Sequence, residues 1–332
     1  MKKVRIGLVG TGFIADWHYK GFLKNPDAEI MGISRDYYGD EKDINRQRDA
    51  LNTIAREYNI KPYDNYDELL HSNEIDALVI GSINPLHYDQ IRKAIAVGKP
   101  LLVEKPVLTD LNELDEIQKL IEGNKFKLFP AHNFVYRGAV QNAKKLIDHN
   151  KLGTIIHASF IISHTISENH AHGWRSIKKH SCGGALMDSG HHLVYQLLYL
   201  LGRPVKLHGF TSSMVLKQME CEDTAQVSLI YPDGSMSVIM QTWTSNHSNH
   251  INGIRILGTE GNIIISDALY FNDEKMDDDV EYEDSFKNQS IAFTEYILKV
   301  IEPLSGLSDV RDTLKIIYGA YESSVSNAVI KL

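Results

Sequence analysis

Gly10-Thr11-Gly12-Phe13-Ile14-Ala15 reads as G-x-G-x-x-A. Glycines at this spacing permit a tight turn and let a pyrophosphate approach the backbone. A small sixth residue lets the following helix pack closely on the preceding strand. The start of that helix offers unpaired N–H groups to an anion. Gly10, Thr11, Gly12, Phe13 and Ile14 are therefore expected to seat a dinucleotide. The end of the next strand should choose between cofactors. An acid there binds the ribose 2′-hydroxyl of NAD, and an arginine accommodates the 2′-phosphate of NADP. Here the chain reads Ser34-Arg35-Asp36, with Arg35 at the acid's usual position. Ser34 adds a hydroxyl donor, so NADP is expected in preference to NAD. Asp36, one residue on, leaves NAD as the alternative.

The second chemical signal is histidine. Of the 15 histidines, His157, His164, His170, His172, His180, His191 and His192 fall between residues 157 and 192. His170-Ala171-His172 invites a zinc reading, but a zinc site needs about four ligands, usually in compact pairs. No second compact pair accompanies H-x-H here. A polar substrate pocket accounts for one or two of these histidines equally well, and no metal is expected.

These residues need a scaffold. Short apolar runs at Val4 to Val9, Glu29 to Ser34, Ala77 to Ile80, Leu101 to Val103 and Phe126 to Phe129 read as strands. Helical patterns such as Ile14 to Leu23 and Tyr88 to Val97 lie between them. Alternating strands and helices predict a doubly wound parallel sheet buried on both faces. After about residue 135 the rhythm changes. Helices are expected at about Val140 to His149 and Gly184 to Leu201. Strands are expected at Thr154 to His164, Val205 to Ser212, Thr224 to Ile230, Met236 to Thr242, Ile254 to Leu257 and Asn262 to Ile265. Pro232-Asp233-Gly234 should turn one hairpin. The acid-rich segment Asn272 to Asp284 reads as a solvated loop, and two helices, Gln289 to Ile301 and Val310 to Val329, close the chain. The fold class is α/β: a Rossmann domain over residues 1–132, then an α+β domain over 133–332 with a large, mostly antiparallel open sheet.

Composition narrows the partners. The chain has 332 residues with 43 acidic against 35 basic side chains, a formal charge of −8. That disfavours a broad nucleic-acid surface, though it leaves room for a local basic pocket. Two cysteines, Cys182 and Cys221, exclude a disulfide scaffold and fit a reducing compartment. No run reaches the roughly 20 apolar residues of a membrane span. Met1-Lys2-Lys3 is followed by a short strand and glycines, not by a signal-peptide core. A cytoplasmic location is expected.

At Leu101-Leu102-Val103-Glu104-Lys105-Pro106 the sequence resembles the Gfo/Idh/MocA oxidoreductase family, which carries E-K-P at the end of a Rossmann strand. The resemblance extends over nearly the whole chain. It includes the glycine turn, Asn84-Pro85-Leu86-His87, Gly98-Lys99-Pro100, His132-Asn133-Phe134 and Trp174-Arg175. The run from Gly183 to His192 matches G-G-x-x-x-D-x-G-x-H, and Gly258-Thr259-Glu260-Gly261 and Tyr318 to Ser323 follow. The resemblance implies reversible oxidation of a secondary alcohol on a sugar or cyclitol with NADP or NAD, and a homodimer or homotetramer built on the open sheet. By motif position it implies Lys105, Asp188 and His192 as the catalytic set. Asn84, His87 and Glu104 join the cofactor contacts, with Lys105. Asn133, Trp174 and Arg175 join the substrate contacts, with Lys105, Asp188 and His192. One departure stands out: the family often places Asp three residues after the histidine, and here that residue is Tyr195.

The residue types suit such chemistry. Removing a proton near neutral pH suits histidine. A lysine ammonium stabilises charge developing on oxygen. Asp188 and His192, four apart on a helix, would share one face, with His191 turned about 100° away. Asp188 could instead cap the helix, and His87 suits a structural or cofactor-loop role better than catalysis. With Lys105 and His192 in different domains, the site is expected in an interdomain cleft. Two other activities fit the same scaffold: glycoside cleavage through transient oxidation, and a non-enzymatic dinucleotide sensor.

Overall fold

The computed structural model describes residues 3–247, 250–277 and 281–332. Among these the chain forms two compact units. One comprises residues 1–133 with 283–306, the other residues 134–282 with 307–332.

The first unit is a six-stranded sheet in the order β3-β2-β1-β4-β5-β6. Its strands are β1 (Val4–Val9), β2 (Ala28–Ser34), β3 (Lys61–Pro62), β4 (Ala77–Ile80), β5 (Leu101–Val103) and β6 (Leu128–Pro130). Every pairing is parallel. The central strands β4 and β5 are buried along their full length, as their unbroken apolar sequence demands. Helices Phe13–Leu23, Glu41–Tyr58, Tyr66–His71, Asn84–Val97 and Leu111–Asn124 connect them. Capping explains where two begin: the Asp40 side chain accepts the Asp43 N–H, and Asp110 accepts those of Asn112 and Glu113.

The helix Tyr282–Lys299 departs from the expected division at 132/133, because its packing lies with the parallel sheet's unit. Phe293 meets Phe22 and Phe129 edge-on, with ring centroids 6.5 and 5.6 Å apart. Asn25 donates to Thr294 Oγ1 at 2.9 Å, and Lys127 donates to the carbonyls of Tyr296 and Ile297. Burying a phenylalanine contributes about 1.5–3 kcal/mol. Phe293 completes a core that residues 1–132 leave unfinished. The helix also begins seven residues before Gln289.

The second unit carries a nine-stranded sheet in the order β14-β13-β12-β11-β7-β10-β9-β8-β15. These are β7 (Ile155–Ser163), β8 (Lys206–Ser212), β9 (Thr224–Ile230), β10 (Met236–Thr242), β11 (Gly253–Gly258), β12 (Asn262–Ile265), β13 (Leu269–Phe271), β14 (Glu274–Asp277) and β15 (Ile330–Lys331). Only the β7–β10 pair is parallel among them. Helices Gly138–Asp148, Ser189–Leu201 and Leu307–Ser326 pack on one face of this sheet. Alternate residues such as Val227, Ile239, Phe160 and Ile256 are buried there. The opposite parity carries Phe210, Gln226, Met240 and Ile161 in one cross-strand row and Met236, His157 and Leu257 in another. Of these, Phe210, Met236 and Leu257 stand 54%, 49% and 48% exposed.

Two further expectations change. The segment Asn272 to Asp284 is not all loop: it turns at Asn272 and Asp273 into β14, and Tyr282 opens a helix. Residues 278–280 of that segment lie outside the described residues. The helix expected from Gly184 begins at Ser189. Gly184 to Asp188 form a turn instead, for a reason that belongs to the site.

Candidate active site

Gly10 follows β1 with φ +108°, a conformation that favours glycine, and an added Cβ would lie 2.6 Å from the Gly81 carbonyl. Gly12 precedes the helix Phe13–Leu23 with no side-chain cap. Nothing lies within 4 Å of where its Cβ would be. An open, uncapped helix start beside the tight Gly10 turn suits a pyrophosphate. Phe13 is exposed at this rim, and Ile14 packs toward Gly81.

At the end of β2, Ser34 is fully buried and its Oγ finds no hydrogen-bond partner. Arg35 donates from Nη1 to Thr11 Oγ1 at 2.8 Å, and its guanidinium lies 5.7 Å from the Tyr38 ring. Its buried Nε also lacks a partner. Unsatisfied buried donors carry a cost of about 1–3 kcal/mol each unless a ligand meets them. Ser34 and Arg35 thus fit a phosphorylated ribose.

The turn after β5 is braced from below. Glu104 is buried; its Oε1 lies 2.7 Å from His18 Nε2, and its Oε2 accepts the Lys105 N–H. His87, expected among the cofactor contacts, is instead wholly buried. Its Nδ1 lies 3.0 Å from the Pro106 carbonyl and its Nε2 3.1 Å from that of Ser82. It ties the Lys105–Pro106 turn, joined by a cis peptide, to the start of the helix that Asn84 opens. Burial pushes its imidazole pKa down, against the carbonyls of Ser82, Pro106 and Val107, which raise it. Glu104 likewise braces rather than presents a surface. Lys105 itself is half-buried. His132 is pushed down to about 3, by burial first and then by the Lys105 charge. Asn133 is buried and donates to Ser285 Oγ at 2.8 Å.

In the second unit, Asp188 occupies the position before the helix Ser189–Leu201, yet its side chain makes no cap. Arg175 Nε donates to its Oδ2 at 3.0 Å, and His170 Nε2 lies 3.4 Å from the same oxygen. Arg175 also lies 4.4 Å from the Trp174 ring. The Gly184–Asp188 turn is shaped by Glu222, whose carboxylate accepts the N–H groups of Gly184 and Leu186 and the Tyr321 hydroxyl. Gly184 presses so closely on this residue that an added Cβ would lie 1.9 Å from the Glu222 carbonyl oxygen. That contact replaces a helical start with a turn. His192 stacks on Phe134 at 4.4 Å, and its Nδ1 lies 2.7 Å from Tyr195 Oη, which accepts the Phe134 N–H. His191 is fully buried. Asp188 thus meets Arg175 and His170, and His192 meets Phe134 and Tyr195. Among the described residues, no cluster of three or more His, Cys, Asp or Glu is placed to hold a metal ion.

Two family models divide the chain at this point. Residues 4–132 match the oxidoreductase family with an NAD-binding Rossmann fold, and residues 140–264 match the GFO/IDH/MocA C-terminal domain. The chain belongs to the Gfo/Idh/MocA family. Within it, glucose-6-phosphate 3-dehydrogenase of Bacillus subtilis is 28% identical over 202 residues, which are 60% of this chain and 54% of that protein. D-xylose 1-dehydrogenase [NADP(+)] of Haloarcula marismortui is 25% identical over 279 residues, 79% and 76% of the two chains. The matched region spans about half the length of several curated relatives. An oxidoreductase structure from Thermotoga maritima, 23% identical, superposes with a TM-score of 0.86 over 99% of this chain and 98% of its own, and shares the fold.

Of the supports, Tyr321 lies within the Tyr318–Ser323 motif, while His18 and Glu222 lie in none, and the pairs Glu104–His18 and Glu222–Tyr321 are 86 and 99 residues apart. The density of histidine before residue 180 was the one signal that His170 stands near Asp188.

Proposed function

We propose that the protein is an NAD(P)-dependent dehydrogenase or reductase acting on a secondary alcohol or ketone of a sugar, sugar derivative or cyclitol, with NADP the preferred cofactor. The observation that carries the reading is the pair of buried, unpartnered donors, Ser34 Oγ and Arg35 Nε, beside the open turn at Gly12. An arginine–phosphate contact is worth about 1.5–3 kcal/mol, roughly tenfold to a hundredfold in affinity. Gly10, Thr11, Gly12, Phe13 and Ile14 would hold the diphosphate, and Asn84 and Lys105 would line the same end of the sheet. Once bound, the nicotinamide supplies the hydride donor or acceptor.

The chain's own residues then manage the proton and the charge. His192 would take the carbinol proton in oxidation and return it in reduction. Lys105 would donate a hydrogen bond to the reacting oxygen. Asp188, with Arg175 and Trp174, would hold neighbouring substrate hydroxyls. The sugar dehydrogenase names among the relatives support the substrate class. Whole-molecule assembly is proposed as a homodimer or homotetramer through the exposed face of the nine-stranded sheet.

The test is a screen at 340 nm of sugars, cyclitols and their keto forms with each cofactor, run on the wild type and on Arg35→Ala. Absorbance change is expected with NADP first, and Arg35→Ala should weaken NADP much more than NAD. Glycosidase turnover with no net reduction of cofactor would move the reading to transient oxidation. Cofactor binding with no turnover of any compound would favour a sensor.

A further inference from the structure

Asp36 follows Arg35 directly, and a carboxylate there would be drawn to a ribose hydroxyl or to the Arg35 guanidinium itself. Among the described residues, Asp36 forms no ion pair with Arg35. Asp36 Oδ2 accepts a hydrogen bond from Gln90 Nε2 at 2.9 Å, and its Oδ1 accepts the Tyr66 N–H at 3.3 Å. Gln90 is buried and gripped at both ends. Its Oε1 accepts the Ser82 hydroxyl at 2.6 Å, and its backbone carbonyl accepts the Tyr66 hydroxyl at 2.6 Å. A carboxylate only accepts, so the amide must present its NH2 to Asp36 and its oxygen to Ser82. The orientation is fixed by chemistry. Among the described residues, Arg35 forms no ion pair; its Nη1 donates to the neutral hydroxyl of Thr11. Its positive charge is left unneutralised because the nearest carboxylate in sequence is tied elsewhere.

We propose that Gln90 is a cofactor-specificity residue. It straps Asp36 back and so keeps negative charge away from the pocket that Arg35 and Ser34 prepare for a 2′-phosphate. The inference rests on the NADP reading above. Gln90 touches no cofactor in this scheme; it acts through Asp36 and is a positioning residue. Release of the strap would free the Asp36 carboxylate to pair with Arg35 or to accept a ribose hydroxyl. Either outcome disfavours a phosphate by like-charge repulsion and suits NAD.

Calorimetric titration with NADP and with NAD, separately, tests this on the wild type, Gln90→Leu, Asp36→Asn and the double variant. Gln90→Leu is expected to lower the ratio of NADP to NAD affinity by about tenfold. The double variant is expected to regain the wild-type ratio, because it has no carboxylate to release. Gln90→Met serves in place of Gln90→Leu if that protein does not fold. An unchanged ratio in the Gln90 variant overturns the strap, and so does an equal loss of both cofactors that Asp36→Asn does not rescue. A wild type that binds NAD more tightly, with a ratio that still falls in Gln90→Leu, overturns the NADP reading and leaves the strap standing.

Discussion

His192 is held on two sides, by the Phe134 ring beneath it and by the Tyr195 hydroxyl at Nδ1. The hydroxyl is itself fixed, since it accepts the Phe134 N–H. A phenol can do the orienting work of the carboxylate that the family often places three residues after the histidine. Ring orientation is what a base requires if its other nitrogen is to meet a proton. His192→Asn keeps a polar side chain of similar reach and removes the titrating group. Turnover is expected to fall by about 10²–10⁴-fold. Cofactor affinity should hold, because in the proposed reading the phosphates would rest on the Gly10–Ala15 turn in the other unit. The deprotonation limb of the pH–rate profile for oxidation should vanish or shift. Near wild-type oxidation with the same limb would remove His192 as the base and make Lys105 the next candidate.

The turn from Gly184 to Asp188 shows how one buried carboxylate sets an element's start. Glu222 accepts two backbone N–H groups and one hydroxyl, and Asp188 sits at the end of the backbone so held. Burial pushes the Glu222 carboxyl up while those donors pull it down. Glu222→Gln replaces one acceptor with an NH2 that must face a donor. A loss of about 2–3 kcal/mol is expected, since hydrogen bonds to charged groups run at about 1.5–3 kcal/mol and an unpaired donor adds to the cost. Thermal unfolding should show the loss, and turnover should fall with it because the Asp188 carboxylate is displaced. An unchanged melting temperature with unchanged turnover would reject the role. The sequence could not carry this. Apolar residues continue back through Leu186 and Met187, so periodicity extends the helix to Gly184 and ignores Glu222, 36 residues on from Leu186. Where periodicity and glycine spacing suffice, reading succeeds: β1, the glycine turn and the helix from Phe13 fall within a residue of expectation. Where a side chain distant in sequence imposes the geometry, as His18 does on Glu104 or Phe22 on Phe293, no local pattern records it.

At the scale of the molecule, the nine-stranded sheet leaves Phe210, Met236 and Leu257 about half exposed on the face opposite its helices. Apolar side chains left exposed on a sheet face would suit the assembly proposed above. Light scattering at micromolar concentration is expected to give two or four chain masses. A mass near 37.6 kDa would reject assembly, and Met236→Lys should shift an assembled protein toward that value. The path of the chain has a further consequence. Residues 283–306 belong with a sheet completed by residue 130, and the chain between them builds most of the other unit. A ribosome adding about 5–20 residues per second needs roughly 8–30 s to make the intervening segment. Through that interval the apolar faces of Phe22 and Phe129 wait for Phe293. A nascent chain in this state is a natural client for a holding chaperone, so the order of synthesis, rather than final stability, sets when this protein is most vulnerable to aggregation.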